Sequence, residues 1–247
     1  MSTPVASLTG RRILLTRAAD DADRWATRLR RRGHVPVILP CLRVEHLHDA
    51  DTAQALREAI EGATWVVFTS RRGVEAAHAL IGEEWPRSTP IAAVGPATAR
   101  AVGRTFGTTP FVARPSTGAA LGRALADHME GNDGSARIVL AGARDGRDDV
   151  AVALGRAGIA VTRVALYRTI PNPPLSPRVL VETADVDAVW LASPSAVTGL
   201  RNQARLAREL RIISIGPTTT DAATAAGFTV SAEARTPTFS GMLQATR

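Results

Sequence analysis

The chain has no lysine, a single cysteine and few aromatic residues. The shortages of cysteine and of aromatic residues each argue against a kind of functional site. All 30 basic residues are arginines. With only Cys41, neither an intramolecular disulfide nor a cysteine metal cluster can form. Aromatic residues make up 4% of the chain, and no basic, aromatic-lined face for a nucleic acid is visible. No apolar run could span a bilayer or serve as a signal peptide, so we expect a cytoplasmic protein without a membrane partner.

The net charge of +7 is the one compositional feature that suggests a nucleic-acid partner. The arginines are scattered, however, apart from residues 30–32, which lie at a predicted helix end where positive charge is favourable. We therefore predict no nucleic-acid partner. A preference for a small polyanion is compatible with the excess of arginine.

One pattern occurs twice, in residues 91–107 (IAAVGPATARAVGRTFG) and 212–228 (IISIGPTTTDAATAAGF). Each copy predicts a buried strand, a Gly-Pro turn and a helix with proline at its first position. The amides that follow, on Thr98 in one copy and on Thr218 and Thr219 in the other, are expected to be free at a positive helix end, which suits an anion. The alternative interpretation is a plain connection between a strand and a helix.

The rest of the chain repeats the same plan. Residues 13–33 correspond to residues 138–158, Ser70 corresponds to Ser193, and Gly95 corresponds to Gly216. A helix follows nearly every strand, so the predicted fold class is α/β, with two similar lobes that each contain a parallel sheet flanked by helices.

Ligands of parallel sheets bind beyond the carboxyl ends of the strands. The polar turns expected at these ends give the candidate substrate-binding residues, which are Thr16, Arg17, Ser70, Arg71, Gly95, Thr98, Arg144, Ser193, Ser195, Gly216, Thr218 and Thr219.

Several local expectations follow from helix-capping preferences. Asp20 and Asp21 are placed to cap the first helix, Ser70 to cap the helix after the strand WVVFT, and Ser116 to cap a helix near residues 117–128. Residues 131–135 (GNDGS) predict a loop.

The five histidines do not form a predicted metal site. His46 and His48 would share one face of a strand, but no cysteine or third histidine completes a ligand set. His34, His78 and His128 are expected on the surface. No histidine is expected close to Tyr167.

No standard catalytic motif is present. Residues 142–147 lack the Lys-Ser/Thr of a phosphate loop, and no nucleophile elbow accompanies a Ser-His-Asp order. Many hydroxyl and amide donors with several arginines fit an enzyme that holds a polyanion in one shape, or a two-lobed cytoplasmic binding protein for a polyanionic small molecule without catalysis.

The chain resembles the uroporphyrinogen-III synthase family over nearly its whole length. The resemblance rests on eight segments in the same order, namely LLTR, VILPCLRV, VVFTSRRGVE, AAVGPATA, ARDGRDDVAVALGRAG, VALYRT, SPSAV and ISIGPTTT. WLAS at residues 190–193 departs from the commoner FTS-like ending of the family.

The resemblance implies two lobes around a cleft. One lobe would hold residues 1–36 plus 170–247 and the other residues 45–160, with residues 37–44 and 161–169 as connector strands. The prolines in residues 35–44 support this division, since proline does not suit a sheet interior.

The resemblance also implies an activity of heme biosynthesis. Hydroxymethylbilane, a linear tetrapyrrole with eight carboxylates, would be closed in the cleft to uroporphyrinogen III, with inversion of ring D and loss of water. The expected enzyme is a monomeric lyase that uses no metal or organic cofactor. Tyr167, the single tyrosine of the chain, is the candidate catalytic acid, because a phenol stays protonated at neutral pH and adds no negative charge beside an acidic substrate.

Overall fold

Strands and helices alternate along the chain in a computed structural model that describes residues 10–129 and 136–247. The loop predicted at residues 131–135 lies outside the described residues. The chain divides into two compact units, called unit 1 (Met1–Val44 and Thr169–Arg247) and unit 2 (Glu45–Arg168).

In chain order, the elements are β1 (Arg12–Leu15), α1 (Ala19–Arg30), β2 (Val35–Ile38), β3 (Leu42–His46), α2 (Ala50–Ile60), β4 (Trp65–Phe68), α3 (Arg71–Ile81), a 3-10 turn (Gly82–Glu84), β5 (Ile91–Ala93), α4 (Pro96–Phe106), α5 (Gly118–His128), β6 (Arg137–Ala143), α6 (Asp149–Arg156), β7 (Ala160–Pro171), β8 (Val179–Val181), β9 (Ala188–Leu191), α7 (Pro194–Gln203), β10 (Ala204–Leu206), β11 (Arg211–Ser214), α8 (Pro217–Ala225), β12 (Val230–Glu233) and α9 (Phe239–Ala245).

Unit 1 contains a parallel sheet in the order β12-β11-β9-β1-β2. In β1, Leu14 packs on one face of the sheet while Ile13 and Leu15 pack on the other, as the two-residue period of a strand requires. Pro36 lies in β2, at the edge of this sheet, where its missing N–H is tolerated. A short parallel pair, β8 and β10, completes the strands described in this unit.

Unit 2 contains the second sheet, in the order β3-β7-β6-β4-β5. The pairs β7-β6, β6-β4 and β4-β5 are parallel, and their apolar side chains are buried beneath flanking helices, among them α5 and α6. The predicted fold class, α/β with two similar lobes that each contain a parallel sheet flanked by helices, is confirmed. The assignment of residues 37–44 and 161–169 as connectors stays a prediction.

The Gly-Pro turns begin helices as predicted. Pro96 and Pro217 occupy the first positions of α4 and α8, where an N–H would have no partner. Gly95 has a φ of 85°, a conformation that side chains other than glycine rarely adopt, so this turn requires its glycine.

Two capping predictions are wrong. Ala18 precedes α1 and makes no side-chain cap, while Asp20 and Asp21 lie inside the first turn, where their charge still favours the positive helix end. Thr117, not Ser116, caps α5 by accepting a hydrogen bond from the amide of Ala120 at 3.2 Å. In both cases the residue before the first helical position is not the predicted one: for α5 the cap moves to Thr117, and for α1 the position is occupied by Ala18, which has no capping side chain.

Within the described ranges, no helix has both the length and the apolar character needed to cross a membrane.

Candidate functional site

The densest group of candidate residues lies at the carboxyl ends of β4 and β6 in unit 2. Ser70 follows β4, Arg144 follows β6, and Tyr167 lies on β7, paired with Ala143 of β6. The backbone N–H of Arg144 donates to the carbonyl of Tyr167 at 2.8 Å. Since β6 lies between β4 and β7, the sheet order brings together residues that are far apart in the sequence.

Tyr167 is connected through Ser70 to the start of a helix. Its side chain is buried, with 5% exposure, and its hydroxyl lies 3.0 Å from Oγ of Ser70. The same Oγ accepts a hydrogen bond from the amide of Gly73 at 3.1 Å and so caps α3, as predicted. This arrangement fixes the phenol oxygen at the positive end of a helix.

Two further side chains lie near the Tyr167 ring. The Cζ atom of Arg72 lies 5.5 Å from the ring centroid, and the imidazole of His46 lies 6.2 Å away, centroid to centroid. The expectation that no histidine would lie near Tyr167 is therefore wrong. Desolvation lowers the pKa of His46, with further lowering from His48 and Arg72 and an opposing effect of Glu75.

A small cavity of about 80 Å³ lies at the carboxyl end of β6. Thr69, Gly142 and Arg144 contribute to its lining, together with Arg147 and Arg163. The last two arginines have acidic partners, since Arg163 pairs with Asp148 and Arg147 lies 3.9 Å from Asp149. The cavity is small and its lining includes three arginines, so its chemistry suits a carboxylate.

The remaining candidates of unit 2 differ in their accessibility. Arg71 is exposed, and its Nε lies 3.3 Å from Oε1 of Glu75, which is one helical turn further along α3. Gly95 and Thr98 are both buried. Thr98 lies on the same buried face of α4 as Ala101 and Val102, and its assignment as a substrate-binding residue stays a prediction.

In unit 1, Thr16 and Arg17 are occupied by internal contacts. Thr16 is fully buried and donates a hydrogen bond to the carbonyl of Trp190 at 2.8 Å, and its assignment as a substrate-binding residue stays a prediction. The guanidinium of Arg17 lies over the ring of Trp25 at 4.6 Å, and its buried Nε has no hydrogen-bond partner within the described part of the chain. Burial lowers the pKa of Arg17, and the charge of Asp21 opposes this shift.

Ser193 occupies the place in unit 1 that Ser70 has in unit 2. It caps α7 by accepting from the amide of Ala196 at 3.2 Å, as predicted, and its Oγ lies 2.9 Å from Oγ of Ser195. Both serines are partly exposed, so a hydroxyl pair is available beside the helix start.

The second Gly-Pro turn offers fewer donors than predicted. Thr218 is exposed, but Thr219 is 1% exposed and its amide donates to the carbonyl of Gly216 at 3.0 Å. The prediction that the amide and hydroxyl of Thr219 are free is therefore wrong. The first turn of α8 is tightened by a bond between residues three apart, a common way to satisfy an amide at a helix start.

The histidine predictions hold for two of three residues. His78 and His128 are exposed, whereas His34 is buried, with 7% exposure, and its Nδ1 has no partner among the described residues. Burial, with Arg11 and Arg32 nearby, lowers the pKa of His34. In the described ranges, no group of three or more His, Cys, Asp or Glu side chains could hold a metal ion.

Sequence reasoning missed Arg72 and His46 as neighbours of Tyr167. Arg72 follows the predicted cap Ser70 by two residues, so its position in the first turn of α3 was a usable signal. His46 becomes a neighbour only through the adjacency of β3 and β7, which the sequence does not reveal.

Comparison with known proteins identifies related sequences. The profile of a family described as uroporphyrinogen-III synthase HemD matches residues 23–244. A putative uroporphyrinogen-III synthase of Methanocaldococcus jannaschii is 28% identical over 104 residues, which are 41% of each chain. The porphyrin biosynthesis protein HemD of Ruminiclostridium josui is 25% identical over 167 residues, covering 66% of the present chain and 32% of that protein. The matched regions thus span less than half the length of these curated relatives.

Two solved structures share the fold. A mutant uroporphyrinogen III synthase of Thermus thermophilus has a TM-score of 0.51 and 19% identity, with 95% of the present chain and 96% of that chain covered. The uroporphyrinogen-III synthetase of Helicobacter pylori has a TM-score of 0.54 and 14% identity, with coverage of 96% and 97%.

Proposed function

Because the chain belongs to the uroporphyrinogen-III synthase family, we propose that it cyclises hydroxymethylbilane to uroporphyrinogen III. The reaction removes water and inverts ring D before the macrocycle closes. Since the linear substrate closes unaided to the other isomer, the protein has to control geometry more than it has to supply reactive groups.

One observation supports the chemical step, namely the buried phenol of Tyr167 beside Ser70. In the proposed step the phenol gives its proton to the terminal hydroxyl of the substrate, and the C–O bond breaks. Water departs, and the substrate becomes an azafulvene. The azafulvene is attacked to give a spiro intermediate, which fragments and closes again. The phenolate recovers a proton when the rearranged ring system loses one, so the net change is the loss of one water.

The carboxylates of the substrate need donors that tolerate negative charge. In unit 2 we assign this role to Arg71, Arg144 and the start of α4 at Gly95, with the 80 Å³ cavity beside Arg144 taking one carboxylate side chain. In unit 1 we assign it to the hydroxyls of Ser193 and Ser195 and to the start of α8, where Gly216 is buried and Thr218 is exposed.

We also propose that the protein acts as a cytoplasmic monomer without a nucleic-acid partner. The scattered arginines support the last part of this proposal, because they form no continuous basic run along the sequence. Sedimentation velocity would contradict the monomer if it gave the mass of a dimer at micromolar concentration.

A product-isomer assay tests the proposed activity. Freshly generated hydroxymethylbilane is added to the protein, and the cyclised products are oxidised and separated by chromatography. We expect isomer III with the protein and isomer I with heat-denatured protein. Isomer I alone would overturn the proposed activity, and tight binding of the substrate without isomer III would instead favour the non-catalytic binding protein.

A further inference from the structure

The guanidinium of Arg72 lies against the aromatic ring of Tyr167, the group to which the proposed function assigns the proton transfer. Its Cζ is 5.5 Å from the ring centroid, which is within the range of a cation–π contact. We propose that Arg72 is a positioning residue that stabilises the negative charge developing on Tyr167 as the phenol donates its proton. This inference rests on the proposed function and adds a second residue to its chemical step.

Arg72 and Ser70 both lie at the start of α3, and the backbone of this helix fixes their positions. Arg72 is the second residue of α3, and Ser70 caps this helix through the amide of Gly73. A Cβ atom at Gly73 would lie 3.2 Å from the carbonyl oxygen of Ala141, so the first turn of α3 packs closely on β6. Tyr167 is on β7, the neighbour of β6, and the helix start therefore lies at a fixed distance from the phenol.

Electrostatics favours Arg72 over the other groups near the phenol. His46 also lies near the ring, but burial lowers its pKa and so disfavours the charged imidazolium. His48 and Glu75 influence His46, and Glu75 is itself paired with Arg71. Ser70 is uncharged and provides a hydrogen bond only. Among the described residues, Arg72 is the arginine whose guanidinium lies over the Tyr167 ring, and its charge is permanent.

The single tyrosine of the chain makes a direct test possible. Growth on 3-fluorotyrosine labels position 167 alone, and the ¹⁹F NMR shift then reports the ionisation of this phenol as the pH is raised. Fluorination makes the phenol more acidic, so the transition moves toward conditions under which the fold is intact. Tryptophan fluorescence at each pH checks the fold.

The variants separate a specific contact from a change in net charge. We expect the ¹⁹F transition of Arg72→Gln at higher pH than that of the native chain, and Arg72→Lys should restore most of the difference. Arg123→Gln is the matched control, since it removes the same charge from α5, where Arg123 lines the groove between α5 and α6. Its transition should equal that of the native chain. An unchanged transition in Arg72→Gln would overturn the proposal, as would an equal shift in Arg123→Gln.

Kinetics provides the second measurement. A cation–π contact of this kind predicts a loss of roughly fivefold in kcat for Arg72→Gln, with a smaller change in KM. If Arg72 instead only bound a substrate carboxylate, KM would rise and the ¹⁹F transition would stay unchanged, which overturns the proposal. A shifted transition in Arg72→Gln together with normal turnover of Tyr167→Phe would support the electrostatic contact and refute the proposed catalytic acid, so the two failures are distinguishable.

Discussion

Unit 1 and unit 2 place a serine at the same point of the same plan, but the two serines have different neighbours. Ser193 and Ser70 each follow a central strand and cap the next helix through an amide three residues on, at 3.2 and 3.1 Å. Oγ of Ser193 lies beside another serine, Ser195, whereas Oγ of Ser70 lies beside the phenol of Tyr167. The repeated framework thus supplies a helix start and a hydroxyl twice, and a neighbouring phenol once.

Among the changes that test this difference between the units, removing the phenol hydroxyl should have the largest effect on kcat. We expect Tyr167→Phe to lower kcat roughly a hundredfold, the lower end for general acid catalysis, with KM changed less than threefold or so. Ser195→Ala changes the residue beside Ser193 in unit 1, and it should affect mainly KM. Steady-state production of isomer III measures both, and turnover of Tyr167→Phe within a fewfold of the native chain would leave Tyr167 as a packing residue.

Two helix glycines, Gly199 in unit 1 and Gly155 in unit 2, differ in how closely another part of the chain approaches them, and alanine at each position tests this difference. A Cβ at Gly199 in α7 would lie 2.1 Å from the carbonyl oxygen of Cys41, whereas a Cβ at Gly155 in α6 meets nothing within 4 Å. Gly199→Ala should therefore lower the free energy of unfolding by about 1–3 kcal/mol. Gly155→Ala should raise it by about 0.5–1 kcal/mol.

Urea unfolding followed by circular dichroism measures both variants. Equal stability of Gly199→Ala and the native chain would contradict the close approach of α7 to Cys41.

Loss of each serine cap separates its structural role from its chemical role. Ser70→Ala and Ser193→Ala should each cost about 1 kcal/mol of stability, the usual value of an N-cap. Only Ser70→Ala should also lower kcat, because only Ser70 contacts the phenol. Thr117→Ala is the control, since it removes a cap from α5 that contacts no candidate residue. Equal kcat values for Ser70→Ala and Thr117→Ala would show that the contact with Tyr167 has no kinetic role.

The smallest predicted effect is a pH dependence of stability from His34 in unit 1. Burial lowers the pKa of His34 below its ordinary value of 6.5 in the folded chain. As the pH falls through 6.5, the unfolded chain binds the proton first, so the free energy of unfolding should decrease toward acid.

Urea midpoints at pH 7.5 and pH 5.5 test this prediction. His34→Gln should show a smaller difference between the two pH values than the native chain does. His78→Gln, at an exposed position of unit 2, should leave the difference in place. A native-sized difference in His34→Gln would assign the acid sensitivity to other groups.

Local signals in the sequence were sufficient for many of the elements and for several helix starts, but not for the short strands β8, β10 and β12. Periodicity located the buried strands, and Ser70, Ser193, Pro96 and Pro217 begin their helices as predicted. These features depend on a few adjacent residues, so the sequence contains the required information.

The burial of candidate side chains was not predictable in the same way. Thr98 and Thr219 are buried because of how their helices are rotated, and Thr16 is bonded to Trp190, which is 174 residues away. The neighbours of Tyr167 depend on the strand order β3-β7-β6-β4-β5, which does not follow the sequence. A polar residue after a strand therefore predicts a turn with more certainty than it predicts a ligand donor.

The discontinuity of unit 1 has a consequence for biosynthesis on the ribosome. Arg12, at the start of β1, hydrogen-bonds to Asp187 just before β9, and these residues are 175 positions apart. At about 5–20 residues per second, β1 and β2 emerge roughly 10 to 35 seconds before β9 is synthesised. Unit 2 is continuous in sequence, so nearly all of its strands are available first. The order of translation therefore favours formation of unit 2 before unit 1. Until β9 is synthesised, β1 has no partner on that side of the sheet.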